Sequence, residues 1–166
     1  LDRVLDGTGG AAVVEGEAGI GKSRIVAALR AASATRGITW RFGITDAMSQ
    51  STPYYAWRGV FEGIFEIGEI EDPAERGERV LAHLGDDDEL LRRAPLLNAI
   101  VQTTFAETEH TRQLTGQARA DSTRSLLVSL LRRASDAVPT IVVLEDAHWM
   151  DSASWSLAAQ ATLLAP

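Results

Sequence analysis

Eight residues constrain the fold more than any other stretch: Gly16-Glu17-Ala18-Gly19-Ile20-Gly21-Lys22-Ser23. They fit G-x-x-x-x-G-K-[ST], a loop that cradles a polyphosphate when it follows a strand and opens a helix. The preceding run Ala11-Ala12-Val13-Val14 is apolar without alternation, which predicts a buried central strand of a parallel sheet. After the loop, Ile25, Ala28, Leu29 and Ala32 recur at helical spacing.

Chemistry accounts for the residue types. Gly16, Gly19 and Gly21 let the backbone turn tightly and approach phosphate oxygens. The N–H groups of residues 16–24, Glu17, Ala18, Ile20 and Arg24 among them, then converge on the anion with the N-terminus of the next helix. Lys22 adds a mobile positive charge for the outer phosphates, and Ser23 offers a small hydroxyl to Mg²⁺, which takes oxygen ligands.

With 166 residues the chain can build one substantial core. Its 16 basic and 23 acidic residues give a net charge of -7, which argues against direct nucleic-acid binding by this segment. With no cysteine it has neither disulfides nor a thiolate metal site, and no apolar run reaches membrane-spanning length. No partnership with a membrane is expected, and a cytoplasmic location is the default. Leu1 to Asp6 reads as the tail of a helix ended by Gly7, and Leu163 to Pro166 stops where another strand is expected. Both ends therefore read as cut from a longer chain.

Between the ends, Ile38, Trp40, Phe42 and Ile44 alternate with smaller or more polar residues, which predicts a strand with one buried face. Tyr54, Trp57, Phe61 and Phe65 lie at helical spacing. A stripe packed on the core is the plain reading, and stacking on an adenine base is the sharper alternative. Asp72-Pro73 starts a helix that runs to about Leu84, before Gly85. The acidic run Asp86 to Glu89 caps the next helix, and Pro95 begins a short one through Val101. Thr115 to Ala134 is a long amphipathic helix with Leu127, Leu130, Leu131 and Ala134 buried.

A second constellation follows Pro139. Ile141-Val142-Val143-Leu144-Glu145-Asp146 is a buried strand ending in two carboxylates, a Walker B pattern. Ligands of open α/β sheets bind at that end of the strands, where the Gly16–Ser23 loop also lies. One carboxylate positions the hydration shell of Mg²⁺, and the other orients or deprotonates an attacking water. The order Glu then Asp leaves open which does which, so both are candidate catalytic residues and both, with Ser23, candidate metal ligands.

Glu145-Asp146-Ala147-His148-Trp149-Met150-Asp151 resembles the E-D-x-H-W-x-D signature of the STAND branch of AAA-related P-loop ATPases. Gly16 to Arg24 is similar to that family's G-E-A-G-I-G-K-S-R loop, and Ser51-Thr52-Pro53-Tyr54 to a further segment of it. The resemblance covers about Val13 to Leu157. It implies a three-layer α/β P-loop NTPase fold with a mostly parallel sheet, one ATPase domain over residues 1–166, and a helical insertion over about 51–114. It implies ATP or ADP with Mg²⁺ as ligands, and a nucleotide-switch role in bacterial signal transduction, as in LuxR-type transcriptional regulators. A motor or remodelling ATPase, or an ATPase domain joined to a nucleotide cyclase, is the alternative. His148 and Asp151 would either shape the edge of the site or start a helix. Partners would be the nucleotide, other domains of the same chain and, in the intact protein, further copies of it. The family's N-terminal G-R-x-x-E segment, sensor strand and lid do not occur within these 166 residues, so the segment alone is expected to hydrolyse ATP slowly.

Overall fold

The computed structural model describes residues 1–7 and 9–164; of the expected strand approach at Leu163–Pro166, Ala165 and Pro166 lie outside the described residues. The chain opens with one helical turn, α1 (Asp2–Leu5), tied by an Arg36–Asp2 ion pair at 2.5 Å to the turn that follows the next helix. Helix α2 (Lys22–Ser33) follows the glycine loop, and Gly37, at φ 66°, turns the chain into strand β1 (Thr39–Ile44).

A run of helices comes next: α3 (Arg58–Phe65), entered through a 3₁₀ turn at Tyr55–Trp57, then α4 (Pro73–Leu84), α5 (Asp88–Arg93), α6 (Asn98–Val101), α7 (Glu109–Gln113) and the long α8 (Gly116–Ala137). Their boundaries follow local chemistry. The Asp72 carboxylate accepts the N–H groups of Ala74 and Glu75, Pro73 occupies the first turn, and Gly85 ends α4 at φ 69°. Asp87, within the acidic run, caps α5 in the same way. Helix α7 was not legible as a helix; a reciprocal pair, Thr108 and Thr111, caps it.

Strand β2 (Thr140–Glu145) lies parallel to β1 in a register that pairs Thr39 with Thr140 and Ile44 with Glu145. Among the described residues the sheet has these two strands. A 3₁₀ turn (Ala147–Trp149) then leads into α9 (Ser152–Ala161).

Two expectations are corrected here. Ala11–Val14 is not a buried central strand: it joins no ladder, and Val13 is 80% exposed. An extended segment becomes a strand only when a neighbour takes its N–H and C=O groups, and no described strand lies beside it. The glycine loop is therefore entered from irregular backbone. The faces of β1 also differ from the alternation. Ile44 is 61% exposed, whereas Gly43, on the opposite face, is buried against the turn before α3. Trp40 and Phe42 instead meet α2, through a Trp40 Nε1 to Ser33 Oγ hydrogen bond of 2.8 Å and through Arg30 over the Phe42 ring.

The best-buried core is helical. Trp57, Phe61, Phe65, Val80, Leu84, Leu97, Ile100, Leu126, Leu127 and Leu130 are essentially inaccessible. Val142 and Leu144 pack on this cluster from one face of β2. The aromatic stripe is thus core, and stacking of a base on it is excluded by its burial. Arg76 is buried too, because Glu62 and the main-chain carbonyls of Ile70 and Val101 accept its N–H groups.

Candidate nucleotide site

The loop has the backbone that its glycines permit. Gly19 and Gly21 stand at φ 80° and 103°, where a Cβ would be strained. Gly21 is the N-cap of α2, and no side chain caps that helix, so its first-turn N–H groups are turned toward the loop. The loop residues from Gly16 to Ile20 are exposed. Lys22 folds back, its Nζ donating to the carbonyls of Gly16 at 2.8 Å and Glu17 at 3.0 Å. These bonds arch the loop and leave an ammonium beside it.

Strand β2 carries the other half. Paired residues of parallel strands point to the same face, so Glu145 shares a face with Phe42 and Trp40, toward α2. A cleft of about 450 Å³ opens there, lined by Ser23, Val26, Ala27, Arg30, Ala31, Ala34, Phe42 and Glu145. The structure therefore brings Ser23 and Glu145 to one cleft. Asp146 is exposed beyond it, with φ 53° and ψ 37°, a left-handed conformation uncommon for a residue with a side chain.

The Ser23 hydroxyl and the Glu145 carboxylate are hard oxygen donors, the type that Mg²⁺ takes beside phosphate and water. Among the described residues no group of three or more His, Cys, Asp or Glu side chains could hold a metal by itself. A cation at this cleft would thus draw its remaining ligands from phosphate and water, as Mg²⁺ does in nucleotide sites.

The remaining signature residues divide. Asp151 caps α9: its Oδ1 accepts the N–H groups of Ala153 and Ser154, both at 2.9 Å, and its Oδ2 the Ser154 hydroxyl. Helix entry is therefore the role its contacts display. His148 is exposed and rests on Trp149 with ring centroids 4.9 Å apart. Tyr54, left-handed at φ 60°, is buried, and burial raises its phenol above the ordinary value; Arg124 opposes that shift, and Asp151 and Asp121 reinforce it. Sequence reasoning missed Thr45, the buried residue just past β1, whose hydroxyl donates to the Asp146 carbonyl at 2.7 Å. A lone threonine after a strand carries no pattern, so no signal marked it. It missed Arg30 for a similar reason, since its place in the cleft depends on how α2 crosses Phe42.

No described helix is long and apolar enough to cross a membrane. No curated protein and no solved structure matches the chain. A family model described as AAA ATPase domain does match, over residues 1–165. With a glycine loop opening α2 and an acidic pair at the end of β2, and with that match running almost end to end, the chain belongs to the AAA ATPase domain family, a family of P-loop ATPases that bind nucleotide.

Proposed function

We propose that this chain is the ATP-binding nucleotide switch of a bacterial signal-transduction ATPase, of the kind found in LuxR-type transcriptional regulators. Residues 1–166 are then one ATPase domain with a helical insertion over about 51–114. The observation that carries the nucleotide reading is the meeting of Ser23 and Glu145 on one cleft, beside the loop that Lys22 arches.

In this reading Gly16 to Arg24 wrap the phosphates with main-chain N–H groups. Lys22 exchanges the Gly16 and Glu17 carbonyls for the outer phosphate oxygens. Ser23 and Glu145 would hold Mg²⁺, which would supply positive charge to the phosphates. Asp146, exposed just past the end of β2, would orient the attacking water and accept its proton. Support for a switch comes from what the acidic pair is joined to. Asp146 leads through a 3₁₀ turn into α9, and Trp57 Nε1 donates to the Ser154 carbonyl of that helix at 3.2 Å. A displacement at the pair thus has a packed route to the helical core.

Titration of labelled ATP into the intact protein tests the binding reading. Lys22→Ala should weaken affinity by about tenfold to a hundredfold, the value of a lost charge-assisted hydrogen bond. Equal affinity in the two proteins refutes it. Limited proteolysis with ATP and with ADP tests the switch, and identical cleavage patterns would refute that part alone.

A further inference from the structure

Ile44 and Glu145 are the last paired residues of the two-stranded ladder. Thr45 and Asp146 are the first residues past it, so the ladder itself does not hold Asp146. Yet Asp146 keeps a left-handed backbone at φ 53°, a conformation that a residue with a Cβ retains only where its surroundings hold it. Two donors do so, and both go to its carbonyl oxygen. One is the Trp149 N–H, at 2.9 Å, which closes the 3₁₀ turn. The other is the hydroxyl of Thr45, at 2.7 Å, with the Glu145 carbonyl a more distant 3.4 Å away. Thr45 is 5% exposed, so this hydroxyl is shielded from water.

We propose that Thr45 is a positioning residue for the acidic pair: by holding the Asp146 carbonyl, it sets where Glu145 and Asp146 present their carboxylates to a metal-bound nucleotide. The inference rests on the ATP-binding reading above. Thr45 touches neither nucleotide nor metal in this account; it acts through the main chain. A valine fills the same volume but cannot make the bond. A serine makes the bond and lacks only the methyl group.

The test compares the intact wild-type protein with Thr45→Val, Thr45→Ala, Thr45→Ser and Lys22→Ala. Three quantities are measured: ATP affinity in EDTA, the Mg²⁺ concentration for half-maximal tightening of ATP binding, and exchange of the Trp149 amide without nucleotide. Thr45→Val and Thr45→Ala should bind ATP in EDTA as wild type does. They should need about five- to tenfold more Mg²⁺ and exchange the Trp149 amide faster by a similar factor, the effect of one lost hydrogen bond. Thr45→Ser should restore both. An unchanged Mg²⁺ requirement in Val and Ala, with ATP binding still lost in Lys22→Ala, overturns the positioning role and leaves the ATP reading standing. Failure of Thr45→Ser to rescue overturns it as well. If Val and Ala both lose the folded circular dichroism spectrum, the hydroxyl is a general structural bond and the proposal falls. A wild type that binds no ATP, or a Lys22→Ala that binds it equally, removes the ATP reading and this inference together.

Discussion

Gly43 is expected to be among the least replaceable residues near the site, for a reason of space alone. It sits in β1 where the strand passes the turn leading to α3. A Cβ built there lies 1.8 Å from the Ala56 carbonyl oxygen and 2.9 Å from Leu144 Cδ2. Ordinary contact begins at 3.4 Å, so the Ala56 backbone must retreat by about 1.6 Å. That atom cannot rotate away as a side chain can, and Ala56 and Trp57 beside it are buried at 1% exposure. Overpacking of this kind costs about 1–3 kcal/mol, and the rigidity of the clashing atom places Gly43→Ala near the upper end. For a chain of this size each kcal/mol moves the melting midpoint by about 2–4 °C, so a drop of about 6–12 °C is expected. Gly63→Ala is the internal control. Its Cβ meets Arg41 Cδ at 3.0 Å, the middle of a flexible side chain, and alanine is the better helix former by about 1 kcal/mol. Thermal melts followed by circular dichroism measure both. Gly43→Ala melting within about 2 °C of wild type would show that β1 and the α3 turn are not held in this close approach.

The remaining expectations concern the acidic pair, its helix and one histidine. Glu145→Gln should raise the Mg²⁺ requirement for tight ATP binding, whereas Asp146→Asn should mainly slow phosphate release, because only Glu145 lines the Ser23 cleft; identical profiles would refute the division. Asp151→Ala should cost about 1 kcal/mol in urea denaturation through loss of the α9 cap, and Asp151→Asn, which keeps an acceptor oxygen, much less; equal losses would argue against a capping role. Although His83 is exposed as a residue, partial desolvation of its ring, which meets Phe65 edge-on at 5.2 Å, holds the imidazole below its ordinary 6.5, and Arg133 adds to the effect. The unfolded chain then binds the proton more readily. The contribution is present above the unfolded value and is lost as pH falls from there through the lowered folded value. The melting midpoint of His83→Gln should accordingly fall less than that of wild type between about pH 7 and about pH 5.5, and equal slopes would refute the assignment.

Much of the helical frame is written in local sequence. Asp72-Pro73 and Gly85 bound α4 as their capping chemistry requires, and Asp87 starts α5 from within the acidic run. The spacing of Leu127, Leu130 and Leu131 marks the buried stripe of α8, and the apolar run after Pro139 marks β2. These signals are local because each involves a residue and a backbone group within a few positions of it. The glycine loop belongs with them, since φ 80° and 103° at Gly19 and Gly21 are conformations that the residue type itself permits.

What the sequence could not decide depends on neighbours distant along the chain. Ala11–Val14 has the composition of a central strand, but a strand exists only with a partner for its backbone, and none of the described strands supplies one. The alternation of Trp40, Phe42 and Ile44 marks a face without saying what covers it. The tertiary structure buries Gly43 on the other face, because only a residue without a Cβ admits the Ala56 carbonyl so closely. Glu145 and Asp146 are adjacent and chemically alike in sequence. The register with β1 turns Glu145 to the Ser23 cleft, and the left-handed turn, held by Thr45 from the neighbouring strand end, carries Asp146 outside it. Local chemistry thus determined the conformation of the glycine loop, whereas long-range packing decided which carboxylate faces Ser23.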